Sequence, residues 1–243
     1  MPPSPTPFPN TRWTLLEKLR NGSDDDAHSA LETLCGAYWL PLYAVARFEH
    51  MSEQDAQDAV QGFFLTLLRR ETFAKADAAQ GRLRSLLLTA FNNYRHSEWR
   101  KTQRHKRGQG TEHLPLHDLG DAEHRLSRDF EAPGLSVETI YAREWARAVL
   151  DRSLTALRHF YEERGQAERF ALLAGPLMQE DDAARLAELA RGAGMKPDAL
   201  RTALHRMRGQ YRAHIERELA ATLDTNDPAV IQREVMELFQ AFD

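Results

Sequence analysis

The sequence predicts an all-α protein, two small helical domains joined by a polar linker, with a helix-turn-helix in the second. Three observations predict it. The 243 residues are rich in Ala, Leu, Arg and Glu and hold no appreciable β-branched run, a composition that favours helix. Apolar residues recur at spacings of three and four over most of the chain. That period fails from Gly108 to Gly134, a stretch rich in Gly, Pro, His and Asp and too long for an ordinary loop within one domain.

Residues 1–10 are Pro-rich and read as disordered. Trp13, Leu16 and Leu19 give Thr11–Arg20 a helical face, which Asn21-Gly22-Ser23 ends. Asp24 to Asp26 suit the start of a helix carrying Ala30, Leu31, Leu34, Tyr38 and Leu42 on one face. Pro41 is expected to kink or divide it. Ser52 with Asp55 opens the next helix in capping-box fashion, its apolar face running Ala56, Ala59, Val60, Phe63, Phe64, Leu67 and Leu68. A further helix covers Leu83 to Arg104, with Leu87, Ala90, Phe91 and Tyr94 inward. After the linker, Ser136, Glu138 and Thr139 restart helix through Ile140, Trp145, Val149, Leu154 and Leu157, and Gln166–Leu177 forms another that ends near Pro176.

The segment from Leu186 to Arg212 is the most informative. Leu186, Leu189 and Ala190 make the inner face of a short helix, and Arg191-Gly192-Ala193-Gly194-Met195 makes a sharp break. Pro197 stands at a preferred first-turn position for a second helix, with Ala199, Leu200, Ala203, Leu204, Met207 and Tyr211 inward. Asp198, Arg201, His205, Arg208 and Arg212 then share the outer face. Small residues inside and cations outside fit a helix-turn-helix that reads duplex DNA.

Net charge is −4, yet the charge is sorted along the chain. Gly81 to Arg107 holds eight Lys or Arg and one acid, and Lys196 to Arg212 holds five and one. Between them, Glu112 to Glu131 holds six acids and two arginines. Two basic faces can meet nucleic acid at two places despite an acidic average. Arg82, Arg84, Asn92, Asn93, Tyr94, Arg95, His96, Trp99, Arg100, Lys101, Arg104 and Lys106 mix cations, amides and aromatics, as unstacked nucleic acid requires. Asp55, Asp58 and Gln61 recur at i, i+3 and i+6 on one helix flank. With no His or Cys at ligand spacing, they read as a partner-docking face rather than a metal or acid–base site.

With both motifs placed, the chain resembles the extracytoplasmic-function sigma factors of bacterial RNA polymerase over about residues 11–223. Asp55-Ala56-Gln57-Asp58-Ala59-Val60-Gln61-Gly62-Phe63-Phe64 is similar to the family's acidic polymerase-binding helix, with Gln57 where Glu is usual. Gly81–Ala90 and the basic helix after it resemble the promoter-melting segment, with Leu86 where an aromatic is common. Gly194–Arg208 resembles the second-domain reader, opened by Lys196-Pro197 in place of Ser-Glu.

The resemblance implies a sigma region 2-like domain at 11–107, a flexible linker at 108–135 and a region 4-like domain at 136–223. The C-terminal helical extension at 224–243, a helix opened by Asp227-Pro228, lies beyond this core and is expected to pack on the second domain or dock a regulator. Implied contacts are Asp55, Asp58 and Gln61 on core RNA polymerase. Arg82, Arg84, Asn92, Asn93, Arg95, His96, Arg100, Lys101 and Arg104 would meet melted DNA of the −10-type element. Lys196, Asp198, Arg201, Thr202, His205, Arg206, Arg208 and Arg212 would meet the −35-type element. An anti-sigma factor or other regulator is a further partner it allows. A stand-alone helix-turn-helix regulator is the alternative, and leaves Asp55–Phe64 and the first basic helix without a role. A metal-dependent nuclease using Asp55, Asp58, His113 and His117 lacks a carboxylate cluster, and a helical adaptor ignores both basic blocks. The expectation is therefore a non-enzyme without cofactor or metal.

One cysteine, Cys35, precludes an internal disulfide and suits a reducing compartment. No leader pattern and no run of about 18 apolar residues is visible, so a cytoplasmic protein without a membrane partner is expected. As a tether, about 25 flexible linker residues would span roughly 25–30 Å. The linker's acids are expected to cover the basic faces when no partner is bound.

Overall fold

The computed structural model describes residues 12–67, 82–102, 119–131, 134–179, 182–223 and 225–242, and among these all regular structure is helical. The helices are α1 (Arg12–Asn21), α2 (Asp24–Phe48), α3 (Glu53–Leu67), α4 (Leu83–Thr102) and α5 (Gly120–Asp129). They continue with α6 (Val137–Glu162), α7 (Ala167–Leu177), α8 (Ala183–Gly192), α9 (Pro197–Leu223) and α10 (Pro228–Gln240). Two compact units result, Met1–Ala148 with Ala220–Asp243, and Val149–Leu219.

The first unit is built around α2. Its segment from Pro41 to Ala46 is buried on every side, the pattern of a central helix rather than a surface one. α1 packs on it through Leu15, Leu16 and Leu19, and α3 through Ala56, Val60, Phe63, Phe64 and Leu67. α4 adds Leu83, Leu87 and Phe91. Phe63 meets Phe91 edge-on at 5.3 Å, and the Tyr94 ring lies 5.9 Å from it. Gly62 permits this approach: a Cβ there would stand 2.2 Å from the Tyr94 hydroxyl.

Of the kink or division expected at Pro41, the division does not occur: α2 continues through it to Phe48. A proline inside a helix costs about 3 kcal/mol, but burial of six consecutive residues from Pro41 to Ala46 holds the axis together. Cys35 lies half-buried in the same helix, and burial, with Glu32 nearby, pushes its thiol up to about 12. Such a thiol is inert at neutral pH.

Local signals set the helix ends. The Ser52 hydroxyl accepts from the Asp55 N–H at 3.1 Å and donates to the Asp55 carboxylate at 2.6 Å. The Ser136 hydroxyl accepts from the Thr139 N–H at 3.2 Å at the start of α6. α2 ends in a Schellman motif, with His50 N–H on the Arg47 carbonyl and Met51 N–H on that of Ala46, and places His50 at a φ of 64°.

The polar linker requires correction. Residues 120–129 form α5, which is packed rather than free. It buries only Ala122 and Leu126, too few for a period to be visible, and is anchored by charge. The Glu123 carboxylate accepts from the Tyr43 hydroxyl and from Arg47 Nε and Nη2, the latter two at 2.9 Å. Arg125 reaches Glu144 at 2.8 Å, Asp129 reaches Arg147 at 2.6 Å, and the Phe130 ring meets Phe48. The unit boundary accordingly falls between Ala148 and Val149, within α6, instead of at 108–135. Residues 108–118 lie outside the described residues.

The C-terminal extension packs within the first unit, not on the second. α10, capped by the Asp227 carboxylate accepting from the Ala229 N–H at 2.9 Å, belongs to the first unit. It buries Glu234, Val235 and Leu238. Arg143 donates to the Ala241 carbonyl at 3.0 Å, and Arg147 lies over the Phe242 ring.

In the second unit, the later part of α6 buries Val149, Leu157 and Tyr161. α7 contributes Phe170, Leu173 and Leu177, α8 contributes Leu186 and Ala190, and α9 contributes Leu200, Ala203, Leu204, Met207, Tyr211, Ile215 and Leu219. Two tyrosines tie α9 to α6: Tyr161 donates to Gln210 at 2.8 Å and Tyr211 to the Leu150 carbonyl at 3.0 Å.

Burial alone would raise the Glu123 carboxyl, but hydrogen bonds from Arg47 and Tyr43 outweigh it and hold the group below the ordinary glutamate range. A depressed carboxylate stabilises the fold above its unfolded pKa and loses that contribution as pH falls through the folded value. Glu123→Gln is therefore expected to cost about 1–3 kcal/mol at neutral pH. Urea melts at pH 7 and pH 4 check this, the gap to wild type narrowing at the lower pH.

Candidate nucleic-acid interface

The α8–α9 segment is held by its turn. Asp182 caps α8, its carboxylate accepting from the Ala184 and Arg185 N–H groups at 2.9 and 3.3 Å. At the other end, Gly194 takes a φ of 66°, its N–H on the Arg191 carbonyl, while the Met195 N–H reaches that of Ala190 at 2.8 Å. Only a glycine takes this conformation without strain. Gly194→Ala should destabilise the second unit by about 1–2 kcal/mol. Differential scanning calorimetry reads the loss.

Pro197 opens α9, and Lys196, Asp198, Arg201, Thr202, His205 and Arg206 all lie exposed along its first turns. Arg201 pairs with Asp198 at 3.1 Å on the open surface, an interaction worth little there. The Thr202 hydroxyl donates to the Asp198 carbonyl at 2.8 Å. Ala199, expected inward, is exposed instead. It lines a groove of about 860 Å³ with Arg169, Leu172, Met195, Thr202 and Arg206.

Two cations of this face are engaged otherwise than expected. Arg208 donates to the carbonyls of Pro176, Leu177 and Gln179, at 3.1, 3.4 and 2.8 Å. It thereby satisfies the C-terminal carbonyls of α7, whose partial negative charge favours a cation. Arg212 pairs with Glu216 at 2.9 Å. Arg208→Ala is expected to cost about 1.5–3 kcal/mol in stability. Arg201→Ala and His205→Ala should stay within about 0.5 kcal/mol of wild type. Thermal melts of the three variants make the comparison.

On α3, Asp55 and Asp58 are exposed and Gln61 is half-buried, the three following one flank of the helix. Asp55 is also tied to Ser52 as the cap described above.

α4 differs most from expectation. Arg84, whose side chain is 16% exposed, pairs with Glu234 and Glu237 of α10 and stacks 4.1 Å from the Trp145 ring centroid. Arg82, 37% exposed, reaches Glu237 at 2.7 Å and Glu234 at 3.2 Å. Arg95 pairs with Glu49 and lies over Phe91, and burial lowers its pKa. Asn92 accepts from Arg95 at 3.3 Å, while Asn93 and His96 are exposed. Arg104 lies outside the described residues, as do Lys106 and the side chains of Trp99, Arg100 and Lys101.

The linker acids were expected to cover the basic faces. Those described do something else: Glu123 and Asp129 serve Arg47 and Arg147, and Asp121 and Glu131 are exposed. The acids that meet Arg82, which precedes α4, and Arg84 within it come from α10. Glu234 and Glu237 stand three apart in sequence, a signal of a shared helix face but not of its partner.

Among the described residues no group of three or more His, Cys, Asp or Glu could hold a metal ion. His113 and His117 lie outside them. No described helix is long and apolar enough to cross a membrane. Comparison of the chain with protein-family models, curated proteins and solved structures finds no match.

Proposed function

We propose that this chain is a sigma factor of the extracytoplasmic-function type, which binds core RNA polymerase and directs initiation at particular promoters. It has two functional domains and acts by binding alone, without catalysis, cofactor or metal, in the cytoplasm. Core polymerase docks on Asp55, Asp58 and Gln61. The α8–α9 pair serves as the helix-turn-helix, with Lys196, Arg201, Thr202, His205 and Arg206 facing duplex DNA. α4 meets melted DNA through Asn92, Asn93, His96 and its basic C-terminal turns.

The observation that carries this reading is the first two turns of α9, where polar side chains stand exposed behind a glycine turn. A helix projected this way places side chains at base edges, each good bidentate contact discriminating by about 1–3 kcal/mol. The acidic flank of α3 adds a second, separate docking face.

Engagement of Arg82, Arg84 and Arg95 by acids favours one other reading, a regulator that binds DNA through the second unit alone. In vitro transcription with core polymerase and genomic fragments, with and without the protein, tests the proposal. Promoter-specific transcripts dependent on the protein are expected, and Asp58→Lys with Gln61→Ala should reduce them together with retention of core polymerase. Specific DNA binding with no retention of core polymerase would establish the regulator instead.

A further inference from the structure

We infer that α10 is a removable cover: Glu234 and Glu237 hold Arg82 and Arg84 in the free chain, and a single-stranded nucleic-acid backbone competes for the same guanidiniums. The inference rests on the proposed function in taking α4 as the helix that meets nucleic acid.

The chemistry of the contact is interchangeable. A guanidinium presents the same fork to carboxylate and to phosphate. Arg82 meets one oxygen of Glu234 and both of Glu237, and Arg84 meets one of each. Two carboxylates thus occupy the donors that backbone phosphates would use.

The hold on α10 is more electrostatic than apolar. Its apolar burial rests on Val235 and Leu238, while Met236 at 60% and Phe239 at 51% exposure face away. Further ties are Arg143 on the Ala241 carbonyl and Arg147 over Phe242. A helix attached mainly through ion pairs yields to a competing polyanion, where one attached through a broad apolar face does not.

The contact also opens from one side. Arg82 and Glu237, 37% and 34% exposed, form its outer half, and Arg84 and Glu234 its inner half. A polyanion reaches Arg82 first, and loss of that pair leaves Glu234 buried with a single partner. Burial already raises the Glu234 carboxyl against the pull of Arg84 and Arg82.

The test uses the full chain and a labelled, mixed-sequence single-stranded oligonucleotide of about twenty nucleotides, followed by fluorescence anisotropy across a salt series. Glu234→Gln with Glu237→Gln should tighten binding at least about threefold at low salt. Salt screens the carboxylate–guanidinium pairs that the oligonucleotide must displace from the wild type. The gain should therefore shrink as salt rises, and the log–log salt dependence of the variant should be steeper. Asp24→Asn with Asp25→Asn, exposed acids of α2, makes the same charge change and should leave the slope unaltered. An unaltered slope in a folded Glu234/Glu237 variant overturns the cover, as does a gain that persists once Arg82 and Arg84 are alanine. Should that variant fold poorly, hydrogen exchange on the wild type decides: the amides of residues 228–240 lose protection when the oligonucleotide binds, and unchanged protection overturns the inference. Oligonucleotide binding that ignores α10 removes the cover and leaves the proposed function standing. Absence of binding in every variant removes the nucleic-acid role of α4 and the cover with it.

Discussion

Two buried carboxylates, each shared between two arginines, hold the outer parts of the first unit to its core. Glu144 is 1% exposed and lies between Arg125 of α5 and Arg147 of its own helix. Glu234 is 2% exposed and lies between Arg82 and Arg84. Removing water from such groups costs several kcal/mol each, which the paired charges offset only with good geometry. These pairs contribute less to net stability than to specificity. They decide which segments dock where, because an unpaired charge left at either place would cost about 3–5 kcal/mol.

This division of labour explains how much was legible in the sequence. α1 to α4, α6, α7 and α9 bury apolar stripes of three or more side chains, so their periods reveal them. α8, which buries only Leu186 and Ala190, is marked by the glycine break that follows it. Trp145, Phe63, Leu200 and Met207 all lie inside, as their spacing requires. α5 and α10 bury two apolar side chains each and rely on Glu123, Arg125, Asp129, Glu234 and Glu237. A charge on a helix flank carries no address for a partner 150 residues away, as Arg84 is from Glu234, so neither docking site was legible. Pro41 misled for the converse reason. Its local preference to break a helix is real, and burial around α2 overrides it.

The candidate interfaces divide along the same line. On α9 the outer face follows from helical geometry alone, and all but Ala199, Arg208 and Arg212 behave as spacing predicts. On α4 the same basic composition led to a different outcome, because Arg82, Arg84 and Arg95 found acids from elsewhere in the first unit. A count of cations along a helix measures what is available for binding only after the internal pairings are subtracted.

The turn at Gly194 has an evolutionary consequence. It is closed by backbone groups, Gly194 and Met195 donating to Arg191 and Ala190, and asks nothing of the side chains at the start of α9. Arg201, Thr202, His205 and Arg206 stand exposed, so the core does not dictate which side chains occupy these positions. Mutations can therefore change the chemistry of this face at little cost in stability, a freedom that stops at Arg208, where the outer face begins to serve the fold.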